Sequence, residues 1–233
     1  SIKDKFFQMD YILLLSILLL GIISIFAQFS SSGGQFDYYS KSHAIRFIIF
    51  FLFFLSISFI QIRFWNDYSI LIFIFLILLL IIVKFYGIQS QGSRRWINLI
   101  VFNLQPSELM KIGIILFLSN YYHKISSGDI NKIRYLLYPF VALTVPFILV
   151  LTQPDLGTAI LILLSGIVVT WLAGVRWKIF AYLTIIFMAL APIAISFLKP
   201  YQKNRILTFL NPDSDPLGAG YQIIQSKIAI GSG

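Results

Sequence analysis

The stretch from Ser69 to Phe85, SILIFIFLILLLIIVKF, carries a single charge, Lys84, close to its end. About 20 consecutive apolar residues are enough to carry an α-helix across a bilayer. This run is almost that long, and it identifies the chain as a membrane protein. Working outward from it, six more apolar runs follow the same rule: Tyr11–Phe29, Ala44–Ile62, Ser107–Tyr122, Tyr135–Thr152, Thr158–Ala173 and Ile179–Leu198. Phe, Ile and Leu dominate them, and Tyr and Trp gather near many of their ends, as an interfacial belt requires. Composition agrees. The 233 residues are 58% hydrophobic and 12% charged, against a charged share of about 25% in soluble domains. The expected fold is all-α, a polytopic integral membrane helix bundle with seven transmembrane helices. Its loops are short, so residues 1–233 read as one membrane domain without an internal repeat.

Composition also excludes some chemistry. There is no cysteine, so neither disulfides nor thiolates are available. His43 and His123 are too far apart to suggest a metal pair. The net charge of +9 suits anionic lipid headgroups or phosphates. No basic block interleaved with aromatics points to nucleic acid. The first apolar run is long and lacks a small-residue cleavage site, so it reads as a retained span. The basic residues divide almost evenly between the two faces. Lys3 and Lys5 ahead of the first span, with no base after it until Lys41, place the N-terminus in the cytoplasm.

Three polar constellations interrupt the apolar pattern. The first is QGSRRWINLIVFNLQPSE, residues 91–108, read as a long loop into the fourth helix. Pro106 fits the first helical position, and Glu108 falls where a capping-box acid sits. Glu108 and Lys111 are three residues apart on one helix face. A lone charge in mid-bilayer would cost roughly 2.5–3.5 kcal/mol, so the pair implies mutual compensation, a polar cavity or a function. Arg94 and Arg95 suit a phosphate or pyrophosphate, with interfacial snorkelling as the plain alternative. The second constellation is TQPDLGTA, residues 152–159. There Pro154 breaks one helix and Asp155 can cap the next, or, beside Gln153, bind a sugar hydroxyl or an arginine. The third runs from Lys199 to Gly233. NPDSDP and PLGAG are turn chemistry, YQIIQSKIAI reads as a short amphipathic helix on the membrane, and Tyr201, Gln202 and Arg205 project near a helix end. No Ser/His/Asp set, P-loop or metal cluster is apparent in the sequence.

Taken together, RRW…FNLQPSELMK, QPDLGTA and PYQKNRILTFLNPDSDPLGAGYQIIQSKIAIGSG resemble the SEDS family of cell-wall polymerases (RodA, FtsW and SpoVE). The last stretch is more similar to the elongation branch than to the division branch. The motifs lie in family order over roughly residues 90–233, and the first ninety residues match only in hydropathy. The resemblance implies a fold of ten transmembrane helices with both termini cytoplasmic, in the bacterial inner membrane. It implies polymerisation of lipid II, a disaccharide-peptide on undecaprenyl pyrophosphate, alongside a class B penicillin-binding protein that cross-links the product. It also implies that residues 198–233 begin a large extracytoplasmic loop. The catalytic aspartate and three more helices would then lie beyond Gly233, so the chain is expected to be an N-terminal portion, inactive alone.

Under that resemblance Arg94, Arg95 and Arg205 would contact the pyrophosphate or headgroup. Glu108 and Lys111 would line a polar cavity. Asp155, with Gln153, would brace the outer loops or the donor site, and Tyr201 and Gln202 would complete the substrate-binding set. Lipid II is already activated, so no cofactor is expected. A divalent cation could help neutralise the pyrophosphate, but no ligand set for one is apparent. A lipid flippase or transporter would also need charges within the membrane. A scaffold that only binds a penicillin-binding protein would not.

Overall fold

Aspartates start the first two helices. The computed structural model describes residues 9–90, 93–99, 102–196, 203–204, 207–208, 211–214, 216, 218 and 220–232. In it the Asp10 carboxylate accepts the Leu13 N–H at 3.0 Å and opens α1, Tyr11–Ser31. Asp37 accepts the Ser40 N–H at 2.7 Å and opens α2, Tyr38–Ser58. Each carboxylate satisfies an amide that the first helical turn leaves without a partner. The expected start of the second span at Ala44 is therefore corrected to Tyr38. The turn Tyr38–His43 is too polar for a hydropathy reading, but its cap makes it helical. Between α1 and α2, Gly33 and Gly34 both take positive φ, 70° and 77°, which glycine adopts without steric cost. The Ser40 N–H, followed by the Ser40 hydroxyl, holds the Asp37 carboxyl below the usual carboxylate range. The cap is thus fully in place above the ordinary aspartate pKa and is lost as pH falls through the lowered one.

The remaining helices are α3, Ile62–Tyr86; α4, Pro106–His123; α5, Ile133–Leu151; α6, Leu156–Leu172; α7, Trp177–Ser196; and α8, Tyr221–Gly231. The first seven occupy the seven expected positions, and the protein is an all-α membrane bundle. Among the described residues, α1, α2, α3 and α5 are each long and apolar enough to cross a membrane. By the same measure α6 is shorter, and α4 is diluted by Glu108, Lys111, Asn120 and His123. The stretch 88–104 differs from the expected loop. It forms an antiparallel sheet of β1, Ile88–Ser90, β2, Ser93–Asn98, and β3, Asn103–Leu104, in the order β1-β2-β3. Ile88 pairs with Trp96, Gln89 with Arg94, and Asn98 with Asn103. These strands are too short for a period-two pattern to stand out from the surrounding apolar residues.

The chain packs as two units. The first comprises Ser1–Ser126 and Ile133–Thr170, and its core lies among α3, α4, α5 and α6. Ser69, Leu76, Leu80 and Val83 form the buried face of α3. Met110, Gly113, Ile114 and Leu118 do the same on α4, as do Pro139, Ala142, Leu143, Pro146 and Val150 on α5. Thr158, Ala159, Ile162, Gly166 and Thr170 form the α6 face at almost regular four-residue spacing. Steps of three and four keep one face inward. The small residues let helices approach where lipid supplies no hydrophobic drive between them. The side chain of Leu76 lies over Gly113, and that of Leu143 over Gly166. At one end of the α3–α4 pair the Asn120 amide donates to the Asn66 carbonyl and the Ser69 hydroxyl. At the other end, β2 packs on both helices.

The second unit comprises Ser127–Lys132 and Trp171–Gly233. The Asn131 side chain accepts the Arg176 N–H at 2.8 Å, and α8 packs on a 3₁₀ turn, Pro212–Ser214.

Candidate functional site

Of two Gln-Pro dipeptides, Gln105-Pro106 opens α4 and Gln153-Pro154 lies just ahead of α6. Proline has no N–H to lose, so it stands well at a helix start, and each glutamine is left facing the turn. Gln153 is 3% exposed and donates its side-chain amide to the Leu80 carbonyl of α3 at 3.0 Å. Gln105 donates to the Asp155 carboxylate, also at 3.0 Å. The other oxygen of Asp155 accepts the Thr158 N–H at 3.3 Å. Asp155 therefore caps α6 and joins it to the start of α4.

Arg95 closes the cluster from the sheet. Its Nε donates to the Gln153 carbonyl at 3.1 Å, one Nη donates to the Pro154 carbonyl, and the other Nη lies 3.9 Å from the Asp155 carboxylate. Each guanidinium nitrogen thus faces an acceptor, on side chains that are 27% exposed for Arg95 and 12% for Asp155. Hydrogen bonds to a charged group are worth roughly 1.5–3 kcal/mol each. The cluster consequently fastens β2 to the turn between α5 and α6. Of the two ligands open to Asp155 on sequence, sugar hydroxyl or arginine, the arginine lies beside it.

The two adjacent arginines are not brought together. The register of β2 shifts at Arg95, which falls between the Gln89–Arg94 and Ile88–Trp96 pairs as a β-bulge, and a bulge re-aims a side chain. Arg94 stays outside the cluster and donates to the Phe85 carbonyl at the end of α3, at 2.8 Å. Its side chain is otherwise exposed. Glu108 and Lys111 form the expected contact at 2.8 Å. Glu108 lies in the first turn of α4 and its side chain is 52% exposed, against 25% for Lys111. It does not complete a side-chain cap, since Gln105 occupies the N-cap position and has no such bond. Where water reaches it, an ion pair this open is screened and is worth at most about 1 kcal/mol. In a double-mutant cycle of Glu108→Ala and Lys111→Ala, read by thermal unfolding, the expected coupling is below about 1 kcal/mol. Coupling of several kcal/mol would place the pair in a much drier setting than its exposure indicates.

Tyr201, Gln202 and Arg205 lie outside the described residues. Gln105, by contrast, joins the site without having been singled out. The signal for it was the repeated Gln-Pro step ahead of two helices. Among the described residues no group of three His, Asp or Glu side chains is placed to hold a metal ion.

Helices of membrane-crossing length, a small sheet at one end and a polar cluster joining three helices and a strand describe a polytopic membrane protein. The sequence model of the cell cycle protein family FtsW/RodA/SpoVE matches residues 6–233, and the chain belongs to that family. It is 38% identical over 205 residues to a probable peptidoglycan glycosyltransferase FtsW of Buchnera aphidicola, covering 86% of this chain and 58% of that one. It is 39% identical over 173 residues to the peptidoglycan glycosyltransferase MrdB of Escherichia coli K12, covering 73% and 46%. The chain thus spans about half the length of these curated relatives. Among solved structures, a peptidoglycan synthase complex that coordinates polymerization and crosslinking contains a chain similar at a TM-score of 0.73 and 28% identity, covering 93% of this chain and 64% of that one. The rod shape determining protein RodA of Thermus thermophilus has the same fold, at a TM-score of 0.63 and 23% identity, covering 77% and 58%.

Proposed function

We propose that this chain is part of a peptidoglycan glycosyltransferase that polymerises lipid II into glycan strands during cell elongation, working with a class B penicillin-binding protein. The observation that carries the reading is that relatives 38% and 39% identical to it are named peptidoglycan glycosyltransferases. The elongation role rests on FLNPDSDPLGAGYQIIQSKIAIGSG, which resembles that branch; the division role is the alternative. The protein is placed in the inner membrane with its N-terminus in the cytoplasm, in keeping with Lys3 and Lys5 ahead of α1. With α1, α2 and α3 crossing in turn, the end of α3 and the cluster around Arg95 then lie at the outer face, where lipid-linked sugars are joined.

In the reaction the 4-hydroxyl of one lipid-linked sugar attacks the anomeric carbon of another. A C–O bond forms there, the bond to the lipid pyrophosphate breaks, and the pyrophosphate leaves with the electron pair. The acceptor proton passes to a base, which we assign to no residue of this chain. Positive charge stabilises the leaving group, and Arg94 and Arg205 are proposed to supply it. Arg95, Gln153 and Asp155 contribute by fixing the turn ahead of α6. Glu108 and Lys111, with Tyr201 and Gln202, line the polar path to the sugar. No cofactor is assigned.

The test is to supply purified lipid II to the reconstituted full-length protein of which this chain is part, with and without its partner, and to resolve the products on a gel. Polymer that depends on the protein is the expected result. Transbilayer movement of lipid II without polymer would favour a flippase, and partner binding with neither activity would favour a scaffold.

A further inference from the structure

We propose that the shallow cleft between the start of α3 and the end of α4 binds the phosphate of an anionic phospholipid. This site stands apart from the glycan-polymerising reading and lies at the opposite end of the α3–α4 pair from the Arg95 cluster. Ile62, Arg63, Asn66, Ser119 and His123 line a cleft of about 390 Å³. It therefore offers a guanidinium, an amide, a hydroxyl and an imidazole, each able to donate to a phosphate oxygen. Arg63 and His123 are exposed, and among the described residues neither has a hydrogen bond or ion pair. Asp67 lies one turn beyond Arg63 and forms no ion pair with it. The first turn of α3 carries no acid. The backbone at Asn66 is held by the Asn120 amide, so this wall of the cleft is fixed to α4 before any ligand arrives.

The position selects a lipid over a free anion. Helix α3 is long and apolar enough to cross a membrane, so a cleft at its first turn sits at the depth of the headgroups. Phe64, Trp65 and Tyr68 lie beside it, with ring centroids 5.7 Å apart for Phe64–Trp65 and 4.7 Å for Phe64–Tyr68. The amphipathic rings of Trp65 and Tyr68 favour that level of the bilayer. Ile62 is 80% exposed and offers an apolar edge that an acyl chain can use and an inorganic ion cannot. A planar guanidinium can fork to two phosphate oxygens.

The experiment is native mass spectrometry of the purified protein in neutral detergent, titrated with phosphatidylglycerol, phosphatidylcholine or inorganic phosphate. The expected result is preferential retention of phosphatidylglycerol. Arg63→Gln should weaken it about fivefold, as expected for one basic residue at a membrane surface, and Arg63→Gln with His123→Gln should weaken it further. Lys84→Gln, at the far end of α3, should leave retention unchanged. Melting midpoints of the variants establish that they are folded. Equal retention by folded Arg63→Gln would overturn the site. Displacement of the lipid by inorganic phosphate at equal concentration would overturn the lipid assignment.

Discussion

Arg95→Ala is expected to lower the unfolding free energy by about 2–4 kcal/mol. Hydrogen bonds to charged groups contribute roughly 1.5–3 kcal/mol each, and Asp155 would lose its cationic neighbour while keeping its bonds from Gln105 and Thr158. The guanidinium donates to the carbonyls of Gln153 and Pro154 and lies beside Asp155. Alanine frees the two carbonyls and unfastens β2 from the turn between α5 and α6. Arg95→Lys should recover only part of the loss, because one ammonium cannot span acceptors set out for a planar fork. Arg94→Ala gives up one exposed bond, to Phe85, and should cost no more than about 1 kcal/mol. The measurement is the melting midpoint in detergent, supported by the monodisperse fraction on size exclusion. Equal losses at Arg94 and Arg95 would show that the cluster does not hold the turn.

Gly166→Leu is expected to destabilise the protein by about 3 kcal/mol or more, at or beyond the upper end of ordinary overpacking. A Cβ at this position would stand 2.1 Å from Leu143 Cδ2, 3.0 Å from its Cγ and 3.2 Å from Leu118 Cδ1. Leu143 is 8% exposed and Leu118 is fully buried, so neither can move aside into open space. Helices α5 and α6 would have to separate. Gly157, on the same helix, has nothing within 4 Å of its corresponding Cβ position. Gly157→Ala should therefore change stability by no more than about 1 kcal/mol. Loss of folded protein with Gly166→Leu and its retention with Gly157→Ala is the expected pair of outcomes. Similar behaviour of the two would mean that α6 does not depend on close approach at Gly166.

The helices were legible because hydropathy reports directly on transfer into lipid, and runs such as SILIFIFLILLLIIVKF admit little else. The start of α2 was not, because Asp37 begins the helix through a hydrogen bond that an apolar window cannot register. The sheet was hidden by the shortness of its strands. That omission also governed the reading of the arginines. In a loop, Arg94 and Arg95 could converge on one phosphate, whereas in β2 each is held by its own acceptors, Phe85 for one and Gln153 with Pro154 for the other. The cap formed by Asp155 followed from a local rule. Its neighbours Arg95 and Gln105 are brought to it only by the packing of α4, α5 and α6, which no local rule supplies.

Arg95 and Pro154 are 59 residues apart in sequence, and that separation imposes a schedule on biogenesis. Synthesis proceeds at roughly 5–20 residues per second, so β2 waits about 3–12 s for its acceptors to be made. During that interval a guanidinium remains at the end of α3 without the three acceptors it will later hold. Helices α4 and α5 must enter the bilayer before the cluster can close. The fastening is therefore a late event and cannot guide the insertion of α4 and α5, which precede its last acceptors in the chain. Their insertion has to rely on hydropathy, and the cluster serves as a latch on an arrangement already reached.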